Sequence, residues 1–313
     1  MRLLEVKGNG QLSLTKDIIN NSIPYAILSH TWGDDGDEVN FKDLTDDSWR
    51  TKAGYRKLRF CGEQAARDGL QHFWVDTCCI DKSNNAELSE AINSMFRWYR
   101  NAAKCYVYLA DVSTNDPDNI DPSLQSWEAA FRSSRWFTRG WTLQELIAPQ
   151  SVEFFCLNSK RLGDKKSLER QLHEITGIAV SALQGTPLSE FSFDERMAWA
   201  KNRETKREED KAYSLLGIFD IYIPLIYGEG TKNALYRLQD EFHKRSNTLQ
   251  LDELSTPQIQ SSTIPFRRDP DFIVRQTLLD QLHEKCAALA SRTALVGFGG
   301  VGYVGISYTH FEC

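Results

Sequence analysis

Over its first half the chain alternates short apolar runs with helical patterns. Tyr25-Ala-Ile-Leu28, His72-Phe-Trp-Val-Asp76, Cys105-Tyr-Val-Tyr-Leu109 and Val152-Glu-Phe-Phe-Cys156 predict four short strands, mostly buried. Residues 57–68 predict a helix stopped by Gly69. Leu88, Ile92, Met95, Phe96 and Tyr99 fall at i, i+4, i+7, i+8 and i+11, the apolar stripe of an amphipathic helix. Helical stretches are predicted around residues 127–131 and 138–148, and Pro149 ends the second. The Gly-punctuated acidic stretch 32–40 predicts a loop.

Strands alternating with helices define an α/β class with a mostly parallel sheet flanked by helices. Ligands bind such sheets in the crevice at the carboxyl ends of the strands. That rule singles out Ser29 and His30, then Asp76 through Cys79, then Asp111. From about Lys166 the pattern becomes helical. Ser192-Phe-Asp-Glu195 is a capping box opening a helix through Trp199, and helices are predicted over 209–219 and 231–244. This part reads as a helical cover on the sheet. Residues 246–265 are polar and predict a linker.

Composition narrows the function classes. The 313 residues are 41% hydrophobic and 26% charged, an ordinary globular balance. A net charge of -6 argues against a general nucleic-acid binder, which needs basic surface. No apolar core follows Met1 and no long apolar run occurs, so neither a secretory signal nor a membrane span is expected. Seven cysteines with no C-x-x-C read as reduced thiols of a cytoplasmic protein. Six scattered histidines, none at H-x-x-x-H spacing, give no expectation of a metal site.

The candidate chemistry centres on residues 134–149, where one carboxylate, Glu145, sits among aromatics and arginines, one helical turn after Trp141. A carboxylate beside an indole is costly unless it binds something or faces water. Another reading is a cysteine hydrolase, with Cys78 or Cys79 as nucleophile and His30 as base. A third is a non-enzymatic module that signals by self-association. The charged run 203–210 reads as a solvated face or an ion-pair set, with Glu209 and Asp210 capping the next helix.

Five segments, in order and spacing, resemble the fungal heterokaryon-incompatibility (HET) domain over about residues 20–245. They are Tyr25-Ala-Ile-Leu-Ser-His-Thr-Trp-Gly33, Trp74-Val-Asp-Thr-Cys-Cys-Ile-Asp81, Tyr106-Val-Tyr-Leu-Ala-Asp111, Arg135-Trp-Phe-Thr-Arg-Gly-Trp-Thr-Leu-Gln-Glu-Leu146 and Glu209-Asp-Lys-Ala-Tyr-Ser-Leu-Leu-Gly217. The resemblance implies an effector that triggers regulated cell death in fungal non-self recognition, often at the N-terminus of an NLR-like receptor. HET domains are similar to TIR domains, several of which cleave NAD, and this implies a TIR-like, flavodoxin-like core. TIR proteins carry a Ser-x-Trp-Cys-x-x-Glu-Leu-type segment with a catalytic glutamate. Arg139-Gly-Trp-Thr-Leu-Gln-Glu145-Leu146 takes that place, with Arg139 for the Ser and Thr142 for the Cys.

On that resemblance Glu145 is the catalytic candidate. Ser29, His30, Trp32, Asp76 and Trp141 are pocket candidates. Ser29 and His30 contact the ligand's polar groups, or serve as a cap and a packed histidine. Trp32 and Trp141 stack on the nicotinamide or adenine ring, or pack in the core. Asp76 binds ribose, or closes an Asx turn or caps a helix. NAD enters as substrate, with no bound cofactor; the protein partners are further copies of the chain or NLR-type proteins. The implied organisation is a HET domain over 1–245, with a TIR-like core (1–160) and a helical extension (161–245). The tail, 266–313, resembles the start of an NB-ARC or NACHT ATPase. Gly297 and Gly302 have P-loop spacing, but Tyr303 and Val304 stand where Lys and Ser or Thr belong, so a truncated, degenerate segment without ATP binding is expected.

Overall fold

Four of the strands form the parallel centre of a seven-stranded sheet. The computed structural model describes residues 1–7, 11–17, 23–46, 48–114 and 127–254, with side chains as far as 245. The strands are β1 (Leu4–Val6), β2 (Leu12–Leu14), β3 (Tyr25–His30), β4 (His72–Trp74), β5 (Lys104–Leu109), β6 (Val152–Cys156) and β7 (Arg161–Asp164). Their spatial order is β2-β1-β4-β3-β5-β6-β7. Strands β4, β3, β5 and β6 run parallel, whereas β1, β2 and β7 add antiparallel edges. All six residues of β3 are buried, as a parallel strand covered on both faces requires.

Across the parallel centre the strands follow the chain order second, first, third, fourth. The winding therefore reverses between β3 and β5. In open α/β sheets a reversal opens a crevice at the carboxyl ends of the strands. Ser29 and His30 end β3 at that point.

The helices are α1 (Phe41–Asp46), α2 (Tyr55–Arg67), α3 (Asn85–Asn101), α4 (Glu128–Arg132), α5 (Thr142–Ile147), α6 (Glu169–Thr176), α7 (Val180–Leu183), α8 (Phe193–Ala198), α9 (Asp210–Tyr213) and α10 (Gly230–Leu254). Gly69, at φ +75°, stops α2 while the Leu70 amide bonds back to the Ala65 carbonyl at 2.8 Å. The Asn84 side chain caps α3 through the amides of Ala86 and Glu87. The capping box of Ser192 and Glu195 opens α8 as its sequence pattern predicts.

Two predicted helices are shorter than expected. The stretch 138–148 is divided into a 3-10 turn, Arg135–Thr138, and α5. Between them the Gly140 amide donates to the Glu204 carbonyl at 2.8 Å, the Glu204 amide donates to Thr138 at 2.6 Å, and Arg139 bridges Glu204. Tertiary pairing has taken the backbone groups a continuous helix would use. The stretch 209–219 is helical only in α9 and continues as turns to Asp220, at φ +54°. At the other end, α10 continues to Leu254, into the polar stretch predicted as linker. The remainder of that stretch, and the P-loop-like tail 266–313, lie outside the described residues.

Among the described residues no helix is long and apolar enough to cross a membrane, and no cluster of His, Cys, Asp and Glu is arranged to hold a metal.

Candidate functional site

Helix α5 packs on β3 and brings Glu145 against the end of that strand. The Glu145 carboxyl is buried. Ser29 Oγ donates to Glu145 Oε2, and Trp136 Nε1 donates to Ser29 Oγ at 2.8 Å. The Trp136 ring is held edge-on by Phe137 and Phe154, with centroids 5.1 and 5.7 Å away. The Tyr99 hydroxyl donates to the Leu28 carbonyl at 2.9 Å and also shares a hydrogen bond with Glu145.

Burial raises the Glu145 carboxyl to about 8, with the charge of Asp76 adding to it; the Ser29 and Tyr99 hydrogen bonds and the charge of Arg203 oppose the rise. At neutral pH the group is therefore mostly protonated. The neutral form also suits the network. Its proton can go to the Tyr99 hydroxyl, whose own proton goes to Leu28, so every proton has one acceptor.

Asp76, just beyond β4, is the opposite case. Its Oδ1 pairs with His30 Nε2 at 3.1 Å, and its Oδ2 accepts from Trp32 Nε1 at 2.8 Å. Burial works to raise this carboxyl, but the charge of Lys82 and the bonds from His30 and Trp32 outweigh it, holding it at about 2. The Lys82 ammonium lies 3.8 Å from the Trp32 ring centre. His30 Nδ1 and Thr77 Oγ1 are buried without a partner among the described residues. The end of β3 thus touches two acids in opposite states, one neutral through Ser29 and one ionised through His30. Environments that separate two carboxyl groups in this way characterise acid–base sites.

Five of the six residues singled out in the sequence meet here: Ser29, His30, Trp32, Asp76 and Glu145. Trp141 does not join them. It stands at the N-cap of α5, just past the Gly140 break, and its indole donates to Asp210 Oδ2 at 3.1 Å. The indole in the Glu145 network is that of Trp136, on the other side of the break.

Other expectations are corrected. Glu209 stands at the N-cap of α9, but its side chain makes no capping bond to that helix. Its Oε1 accepts the amides of Gly228 (2.7 Å) and Gly230 (3.3 Å), whose positive φ angles turn both toward it ahead of α10. The 203–210 run is not uniformly solvated, because Arg203, Glu209 and Asp210 are buried. Arg203 donates to the Arg139 carbonyl at 2.8 Å and to Thr142 Oγ1 at 2.9 Å. Asp111 caps the 3-10 turn by accepting from Ser134 Oγ and the Arg135 amide, each at 2.8 Å. Against the cysteine-hydrolase reading, Cys78 and Cys79 are buried and burial pushes the Cys78 thiol well up.

Sequence reasoning missed Trp136, Tyr99, Lys82 and Arg203. Trp136 lay inside the segment it favoured, but no periodicity links it to β3. Arg203 carried no signal apart from its charge.

Fold and site together define an α/β domain with a mostly parallel sheet and a polar cluster at its point of reversal. Residues 25–125 match the family model described as Heterokaryon incompatibility protein (HET). The chain is 61% identical over 251 residues to the Vegetative incompatibility protein HET-E-1 of Podospora anserina, an alignment covering 80% of this chain and 18% of that protein. Over residues 25–125 the chain is thus similar to the HET family, and it spans less than a fifth of that curated relative's length. The family match takes in Ser29, His30, Trp32 and Asp76 and ends before Glu145. No solved structure matches the chain.

Proposed function

We propose that this chain is an effector of vegetative incompatibility that triggers regulated cell death, and that it does so by cleaving NAD between ribose and nicotinamide. The observation that carries the incompatibility reading is the 61% identity over 251 residues to HET-E-1. The NAD reading is supported by the resemblance of residues 139–146 to the TIR glutamate segment and by a strand order of the flavodoxin type, with Ser29 at the reversal. In this reading residues 1–160 are a TIR-like core and 161–245 a helical extension. The linker and the degenerate P-loop segment follow without ATP binding. The protein acts in the cytoplasm, through self-association or NLR-type partners.

Breaking the glycosidic bond builds positive charge on the ribose ring, nicotinamide leaves as a neutral base, and water adds to the sugar carbon with loss of a proton. Glu145 is the carboxyl that stabilises that charge or holds the ribose hydroxyls. Ser29 and His30 contact the ligand's polar groups, Asp76 binds ribose, and Trp32 offers its ring. In the resting fold Glu145 is neutral and enclosed. Activation, by clustering, admits water and lowers its pKa from about 8 toward the ordinary carboxylate range. The test is nicotinamide release by purified, clustered protein, with Glu145→Gln as the comparison. Release by the native chain and its loss in the variant are expected.

A second reading, a non-enzymatic self-association module, is favoured by one observation: the Glu145 carboxyl is buried, with Ser29 against it. Under it the clustered native chain releases no nicotinamide, while Glu145→Gln still kills in cells.

A further inference from the structure

A cavity of about 920 Å³ lies away from the strand ends, bordered by the second half of α3, the chain just after α5, the stretch following α7 and the turn 217–222. That is the size of an ordinary small-molecule site. Its lining includes five cations, Arg97, Arg100, Lys165, Arg196 and Arg245, and one carboxylate, Asp220. Asp220 is engaged by Arg245 at 3.2 Å.

The two cations deepest in the wall have no acidic partner among the described residues. Lys165 Nζ donates to the carbonyls of Pro149 (2.7 Å) and Leu146 (3.4 Å), which leaves one of its three N–H groups unused. Arg196 donates to the carbonyls of Ile218 (3.1 Å) and Ser192 (3.4 Å), with its guanidinium 4.6 Å from the Phe219 ring centre. Burial pushes Lys165 down to about 8 and lowers Arg196 as well. Buried cations without counter-charge are costly, and an anion beside them removes that cost. Arg97 and Arg100 are exposed on α3 and add charge at the opening.

We propose that this cavity binds a small polyanion with two or more adjacent phosphate groups, held by Lys165 and Arg196 in the wall and by Arg97 and Arg100 at the mouth. Four cations beyond the Arg245–Asp220 pair exceed what one phosphate neutralises, and guanidinium groups match phosphate oxygens in geometry. Lys165 also grips the carbonyl of Leu146, the residue after Glu145, so occupancy is felt at the end of α5. The site shares no residue with the strand-end cluster and stands whether or not NAD is cleaved.

The test is calorimetric titration of the full chain with pyrophosphate, with ATP and with orthophosphate, in the absence of NAD. Saturable binding of pyrophosphate or ATP is expected, weakened about tenfold or more by Arg100→Glu and by Lys165→Met. Tighter binding of ATP assigns a nucleotide, and equal binding assigns free polyphosphate. No saturable binding of either, binding unchanged in both variants, or orthophosphate binding as tightly as pyrophosphate overturns the proposal. If Lys165→Met does not fold, Arg100→Glu, on the exposed lip, decides alone.

Discussion

Trp136 Nε1 donates to Ser29 Oγ at 2.8 Å across 107 positions of the chain. An indole N–H can only donate, so the Ser29 hydroxyl, having accepted, gives its own proton to Glu145. Residue type fixes the first direction, and the second follows because the Glu145 proton is taken by the Tyr99 hydroxyl. Replacing Ser29 by Ala leaves a buried indole N–H and a buried carboxyl without this partner and is expected to cost about 2–3 kcal/mol. In urea unfolding, Ser29→Ala and Trp136→Phe combined should cost less than the sum of the two singles, with a coupling of about 1 kcal/mol. Additive costs would show that the relay does not hold.

Glu145 sets a pH dependence of stability. Its folded pKa of about 8 lies above the roughly 4.3 of an unfolded glutamate. The folded state therefore holds the proton more tightly. Stability is full below the unfolded value, falls as pH rises toward 8, and levels off above it. Gln keeps the shape, cannot titrate there, and donates to Tyr99 as the protonated acid does. The stability of Glu145→Gln relative to the native chain should thus grow by a few kcal/mol between pH 5 and pH 8.5. Parallel pH profiles from denaturant titrations would refute a neutral, buried Glu145.

Arg203 tunes that transition. Its charge favours ionised Glu145, while burial draws its own guanidinium down to about 10. Arg203→Met removes the positive charge, so the Glu145 transition should move above pH 8. The variant should also be less stable overall, because the Arg139 carbonyl and the Thr142 hydroxyl lose a donor. An NMR titration with labelled glutamate reads the midpoint directly, and a midpoint that stays put or falls contradicts the assigned role.

The parallel strands were legible because burial on both faces makes each an apolar run; Val152–Cys156 has the same limits in the sequence pattern and in the fold. Strands β1, β2 and β7 were not. At three or four residues they are too short to show a period, and only pairing defines them: β1 with β4, β2 with β1 and β7 with β6. The strand-end rule found Ser29, His30 and Asp76 without contacts. Helical spacing set Trp141 one turn before Glu145, but its indole is turned by a partner that spacing does not show, Asp210, 69 positions further on. Arg203 was illegible for a related reason: its burial depends on a hydroxyl and carbonyls supplied by α5 and the turn before it.

The Leu215-Leu216-Gly217 end of the motif has a steric reason that predicts an unusual pattern of rescue. A Cβ on Gly217 would lie 2.0 Å from Phe96 Cβ and 2.4 Å from Phe96 Cγ. The nearest atom belongs to the root of the side chain, so no rotamer of Phe96 relieves the clash; α3 itself must move. Gly217→Ala is expected to cost about 3 kcal/mol, the upper part of the range for overpacking a core. Truncating the neighbour does not help: Phe96→Ala keeps the clashing Cβ and removes ring packing, so the double variant should be no more stable than Gly217→Ala. Phe96→Gly removes the Cβ and should restore part of the loss, against about 1 kcal/mol for glycine within a helix. Thermal unfolding of the three variants separates the outcomes. Rescue by Phe96→Ala would mean that the ring, rather than the approach of the two backbones, demands glycine at 217.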